Sequence, residues 1–217
     1  MKDLSIKKVE VSAIDCYKSS WNLIKKNYWI LFIINLVAFI VAQISFGILF
    51  GSAFCGVFIC TLKALRNESL SFQDFFKGFS FFLPSLVPTA LFIVPVPIVG
   101  ILVPFAVLYF DNNADFSKVF LKTLVIESVL VFVMVCLHTL ITFSLLLIVD
   151  KGLLGWESVL ISSKAVWQNL NVVVKLFLVS FILALIGNLL FCAGTYFVLP
   201  LISASITLLY KEIFYET

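Results

Sequence analysis

The chain has 217 residues, 62% of them hydrophobic and only 12% charged, with 24 Phe and a mean hydropathy of +1.15. Soluble domains run nearer ~45–50% apolar and ~25% charged, and a chain of this length could not hide so much apolar surface behind a polar exterior. Water is thereby excluded as the solvent of most of it, and the net charge of +3 is too small to point to nucleic acid.

The composition predicts an all-α, polytopic transmembrane bundle. Lys2, Lys7, Lys8, Lys18, Lys25 and Lys26 fall in residues 1–27. Val11, Ile14, Tyr17, Trp21, Ile24 and Tyr28 recur there at helical spacing, with Lys18, Asn22, Lys25 and Lys26 off that face. This predicts an amphipathic helix at the membrane interface, anchored by Trp21. The first sustained apolar run begins only at Tyr28, late for a signal peptide, so the first span is expected to be retained.

Residues 28–65 read as a tight hairpin of two spans, about 28–46 and 47–65, each near the ~20 residues that cross ~30 Å of hydrocarbon. Gly47, Gly51, Cys55 and Gly56 give the second span a small-residue stripe suited to close helix packing. Residues 66–79 turn polar again. Ser71 and Asp74 have capping-box spacing, and Phe72, Phe75, Phe76 and Phe79 form the apolar face of a short interfacial helix.

Spans 3 and 4 occupy 80–149. Pro84, Pro88, Pro95, Pro97 and Pro104 crowd residues 80–110, and proline removes a helix donor and kinks the chain. One broken, tilted span fits better than a hairpin. It leaves only Lys118 and Lys122 of the 15 basic residues on the far side, as the positive-inside bias requires. Residues 111–118 then form an outside loop.

A second amphipathic segment covers 150–173, with Asp150 expected at its N-cap. Trp156, Val159, Leu160, Val166, Trp167 and Leu170 are expected on its apolar face, with Glu157, Lys164, Gln168 and Asn171 opposite. Residues 174–217 close the chain with a span 5–6 hairpin and its C-terminal end. The expectation is a single six-span domain in the inner membrane of a bacterium. Both termini and the interfacial helices, with Trp21, Trp156 and Trp167 as anchors, face the cytoplasm.

Aligning Trp21 with Trp167 places Lys18 on Lys164 and Ser12 on Ser158, and Gly47 and Gly194 follow at nearly equal distances. Each end of the chain thus reads amphipathic helix, span, tight turn, span. This is the pattern of a parallel repeat, which shared insertion physics can also produce.

Val149-Asp150-Lys151-Gly152, Trp156-Glu157, Ser162, Gly187, Cys192, Gly194, Pro200, Tyr210 and Ile213-Phe214 carry a family likeness, joined by Ser20-Trp21 with Lys25, Lys26 and Asn27. In these residues the chain resembles a group of bacterial six-span membrane proteins related to the membrane domain of glycerophosphoryl diester phosphodiesterases. The likeness covers the two ends and departs from the family in the proline-rich middle and at Cys192–Thr195. It implies an integral inner-membrane protein without chemistry of its own, since in the fusions catalysis belongs to a separate soluble domain.

Candidate site residues are few. His138 sits deep in span 4, and an ionisable group at that depth is costly. Glu127 lies eleven residues earlier on nearly the same helix face, roughly 16 Å along the axis, and Thr142 continues the seam. The seam could line a solute path, or His138 could simply bond a neighbouring helix. Asn35 and Asn188 could likewise bond across the bundle.

Cys16, Cys55, Cys60, Cys136 and Cys192 have no metal-site spacing and are expected to be buried, unpaired thiols. Phosphate-loop, zinc-helix and nucleophile-elbow motifs are absent. No enzyme, cofactor or metal is therefore expected. The leading reading is a non-catalytic protein acting through membrane lipids or through a protein partner or homo-oligomer. The alternative is a small transporter or channel component using Glu127, His138 and Thr142.

Overall fold

The structure, a computed structural model, describes residues 5–105, 116–190 and 194–215. Among them it is helical with no strand. The main helices are α1 (Ala13–Ile24), α2 (Tyr28–Ile44), α3 (Phe50–Leu65), α4 (Gln73–Phe76), α5 (Phe82–Ile93), α6 (Phe116–Leu140), α7 (Ser144–Lys151), α8 (Gly155–Gln168), α9 (Leu170–Leu190) and α10 (Gly194–Phe214). Five helical runs are long and apolar enough to cross a membrane: Ala13–Ile44, Gln73–Phe105, Phe120–Lys151, Leu170–Leu189 and Gly194–Phe214. The apolar helix α3 is shorter, with 16 residues and a length of roughly 24 Å. Phe46, Leu83, Phe132 and Leu189 point outward, as lipid-facing side chains do.

The proline-rich stretch is one helical run. Pro88 lies inside α5, and a π-helical segment, Ile98–Leu102, follows Pro95–Pro97. Such a segment relieves backbone groups that proline leaves without intrahelical partners. The expected loop at 111–118 falls mostly outside the described residues.

Span 4 is not one rod. It breaks at residues 141–143, between α6 and α7. Ser162 on α8 fills the break: its hydroxyl donates to the Leu140 carbonyl (2.8 Å) and accepts from the Phe143 N–H (3.0 Å). One side chain thus supplies both partners that the interrupted helix lacks.

In both amphipathic helices the expected apolar face is divided between a packed side and an exposed side. In α1 the buried residues are Ala13, Cys16, Tyr17, Ser20 and Ile24, while Ile14 and Trp21 point outward. In α8 the buried set is Gly155, Ser158, Val159, Ser162, Ala165 and Val166, while Trp156, Leu160 and Trp167 are exposed alongside Lys164 and Gln168, as is Leu170 at the start of α9. Large apolar residues on the outer side are what an interfacial helix sinks toward the acyl chains. In lipid those residues are already solvated, and close packing selects small and hydroxyl side chains instead.

α1 packs chiefly on α10 and α9, whereas α8 packs on α5, α6 and α7. The two ends therefore share an order of elements but not a set of neighbours.

α3 is the axis of the bundle. Its small-residue stripe receives the return segment: a Cβ at Gly56 would lie 2.3 Å from the Phe75 carbonyl oxygen, and one at Gly78 would lie 2.2 Å from the Gly56 nitrogen. Only glycine allows two backbones to cross this closely. Two buried clusters flank the axis. One gathers Tyr17, Phe58, Phe143, Leu147 and Tyr210, and the other Ile24, Leu31, Ile34, Val57, Phe75 and Ala204.

Candidate functional site

Two polar regions emerge from this packing. The first lies where α3, α7 and α10 end. Asp150 is not a helix start: it sits in the last turn of α7, whose C-cap is Gly152 in the left-handed conformation (φ +66°). A carboxylate opposes the helix dipole there, and its partners offset that. Asp150 Oδ1 accepts from Arg66 Nη2 (2.9 Å) and Tyr215 OH (2.5 Å), and Oδ2 accepts from Tyr210 OH (2.8 Å) with Lys151 Nζ at 3.4 Å.

Arg66 also donates to the Tyr215 hydroxyl, and the Lys151 ammonium lies 4.3 Å from the centre of the Tyr215 ring. Partial burial, together with the hydrogen bond to Asp150, pushes the Tyr215 phenol up to about 12. Nearby, Asp74 accepts from Lys63 (2.8 Å) and Lys77 (2.6 Å), and also from the Ser71 N–H (3.1 Å), half of the expected capping box. The carboxylates of both hubs are buried and surrounded by partners, so their geometry is that of a clamp.

The second region surrounds His138. A half-open cavity of about 310 Å³ is lined by the Phe50, Phe54 and Phe58 stripe of α3, by Pro88, Thr89 and Phe92 of α5, and by Val135, His138, Thr139 and Thr142. Leu145, Phe177 and Ile206 complete its wall. No Lys, Arg, Asp or Glu lines it.

Three stacked or tilted rings organise one side. Phe50 stacks on Phe92 at 4.9 Å and His138 stacks on the other neighbour, with the Phe92 and His138 rings 4.2 Å apart. His138 Nε2 lies 2.8 Å from the Phe92 carbonyl oxygen. A carbonyl only accepts, so this nitrogen carries the hydrogen.

The Thr139 and Thr142 hydroxyls donate back to Val135 (2.8 Å) and Thr139 (2.7 Å) carbonyls of their own chain segment. Thr89 differs. It is 6% exposed, and its hydroxyl has no hydrogen-bond partner among the described residues.

The predicted seam is therefore split. His138 and Thr142 share the cavity although Thr142 lies past the end of α6, whereas Glu127 is half-buried elsewhere on α6 and does not line it. Trp21, Trp156 and Trp167 are all on the outer surface. Asn35 bonds its own helix, donating to the Leu31 carbonyl (2.8 Å), and Asn188 is exposed, so neither bridges the bundle. Cys16, Cys55 and Cys60 are buried free thiols, but Cys136 is exposed on the outer side of α6; Cys192 lies outside the described residues.

Sequence reasoning missed Thr89 and the Arg66–Asp150–Tyr210–Tyr215 clamp. Asp150 and Tyr210 stood among the residues carrying the family likeness, and Phe50, Phe54 and Phe58 show a plain four-residue spacing. Thr89, one hydroxyl beside a proline, gave no signal. Among the described residues no cluster of His, Cys, Asp and Glu could hold a metal ion. No protein-family model, curated protein or solved structure matches the chain.

Proposed function

We propose that this chain is a non-catalytic integral membrane protein that acts through bilayer lipids or a protein partner. The observation that carries the reading is the cavity beside His138, walled mainly by carbon and set among helices whose outer faces suit lipid. In this reading α3 counts as the sixth span, short but paired with α2. The end holding Lys63, Arg66, Lys77, Lys151 and Lys211 is the cytoplasmic side of an inner membrane. The exposed tryptophan and lysine side of α8 rests at that interface. The resemblance to six-span bacterial membrane proteins agrees with the same assignment.

The test is extraction of the full chain in native lipid without detergent, followed by mass spectrometry of everything retained. Stoichiometric lipid or a stable protein partner is the expected result. Turnover of a substrate by the purified chain contradicts it.

The transporter alternative has one observation in its favour, the exposure of His138 and Thr142 to an internal space. It predicts solute flux in liposomes that falls in His138→Leu. Flux that persists unchanged in that variant removes this path.

A further inference from the structure

We infer that the His138 cavity takes the far part of one hydrocarbon chain of a bilayer lipid, entering sideways past Val135, and that it recognises the chain and not the headgroup. This deepens the lipid reading above and rests on it.

Depth is the first argument. Arg66 and Tyr215 meet at the clamp, at the lysine-bearing end of the bundle. Phe58 stands eight residues before Arg66 on α3, and Ile206 nine before Tyr215 on α10, which puts both roughly 12–14 Å from that end at ~1.5 Å per residue. Phe50, at the other edge of the cavity, lies roughly 24 Å from it by the same rise. Two helices thus place the cavity inside the ~30 Å hydrocarbon layer, beyond the reach of a headgroup.

Chemistry is the second. Phe50, Phe54, Phe58, Phe92 and Leu145 give the wall its surface, and no Lys, Arg, Asp or Glu is there to meet an ionised group. The polar side chains do not change this. Thr139 and Thr142 donate back to their own segment, and His138 gives its N–H to the Phe92 carbonyl. The Thr89 hydroxyl lies against α3, where a Cβ on Gly51 would collide with it, and is closed off from the space. Water finds few partners in such a wall, whereas methylene groups gain contact along it.

Access is the third. Val135 lines the cavity yet is 53% exposed, and Phe132, one turn earlier on α6, is exposed as well, so the mouth opens on the lipid-facing surface. A volume of about 310 Å³ lies at the low end of the roughly 300–1,000 Å³ of ligand pockets, which suits part of one chain and not a whole two-chain lipid.

The experiment uses the full chain in phosphatidylcholine nanodiscs with two photoreactive phosphatidylcholines of equal chain length. One carries its diazirine near the ester, the other near the chain end. Crosslinks are mapped by mass spectrometry at Phe54 and Phe58, with Ile40 as the reference. Ile40 is exposed on α2 and lies seven residues before the Gly47 turn, as Phe54 lies seven after it, so surrounding lipid reaches it at a matching depth. The chain-end probe is expected to label Phe54 and Phe58, and the near-ester probe to leave them unlabelled. Changing the headgroup of the chain-end probe to phosphatidylglycerol should leave the label unchanged. Val135→Trp should abolish it at Phe54 and Phe58 while Ile40 keeps its own. A circular dichroism melt shows whether that variant is folded, and the comparison of the two probes in the wild type stands without it.

Label that survives at Phe54 and Phe58 in folded Val135→Trp overturns entry past Val135. Equal label from both probes, or a label that follows the headgroup, overturns recognition by the chain. Label at Ile40 alone, with lipid or a protein partner still retained on purification, overturns the cavity site and spares the functional reading. Absence of both retained lipid and a retained partner overturns that reading as well.

Discussion

The clamp at Asp150 and the cavity at His138 lie in one bundle and are built from opposite kinds of side chain. At Asp150 a buried carboxylate meets an arginine, two phenols and a lysine, so the charge is fully answered within the chain. At His138 aromatic and aliphatic side chains line a half-open space, and no Lys, Arg, Asp or Glu reaches it. A saturated polar cluster fixes helices; a space walled mainly by carbon is available to something else. The difference separates what holds this bundle together from what it holds.

That contrast can be broken most sharply at the clamp. Asp150→Ala leaves Arg66 without its carboxylate and Tyr210 with a buried donor unmet, and should cost about 3–5 kcal/mol. The measurement is unfolding in mixed micelles; a loss below about 1 kcal/mol would show that the clamp is decoration. Ser162→Ala strips both partners from the break between α6 and α7 and should cost about 1–3 kcal/mol in the same assay. A wild-type midpoint would mean that the break does not depend on α8.

Tyr215 gives a pH test of the clamp. Folding raises its phenol from the ordinary 10 to about 12, so the interaction is whole below pH 10 and is lost as pH rises toward 12. The alkaline fall in stability over that window should be smaller in Tyr215→Phe; identical profiles would remove Tyr215 from the account. The smallest effect belongs to the cavity. Thr89→Val deletes a hydroxyl that no protein group uses and should shift stability by no more than about 0.5 kcal/mol, toward greater stability. A loss of 2 kcal/mol would show that Thr89 has a structural bond.

The fold was legible where physics in lipid and in water agree. Apolar runs, the glycine turn at Gly47 and the single passage through the prolines could all be read from composition and spacing. The packed side of each amphipathic helix was not, because close packing between helices chooses by size. Gly155, Ser158 and Ser162 pack inward while Trp156 and Trp167 look out. Asp150 misled for a related reason: an Asp before an apolar stretch resembles an N-cap, but Lys151 and Gly152 after it mark a helix end. His138 drew attention as the single titratable ring in an apolar run. What makes its surroundings a candidate site is the space left beside it where α5 packs on α3.

The most direct test of the division between clamp and cavity is native mass spectrometry of lipid retained by the full chain released from nanodiscs, in wild type, Val135→Trp and Asp150→Asn. The account predicts retained lipid in wild type, its loss in Val135→Trp, where the larger ring fills the cavity that Val135 lines, and its retention by the folded fraction of Asp150→Asn. Retention in Val135→Trp together with loss in folded Asp150→Asn would place lipid binding at the polar end of the bundle and contradict the account.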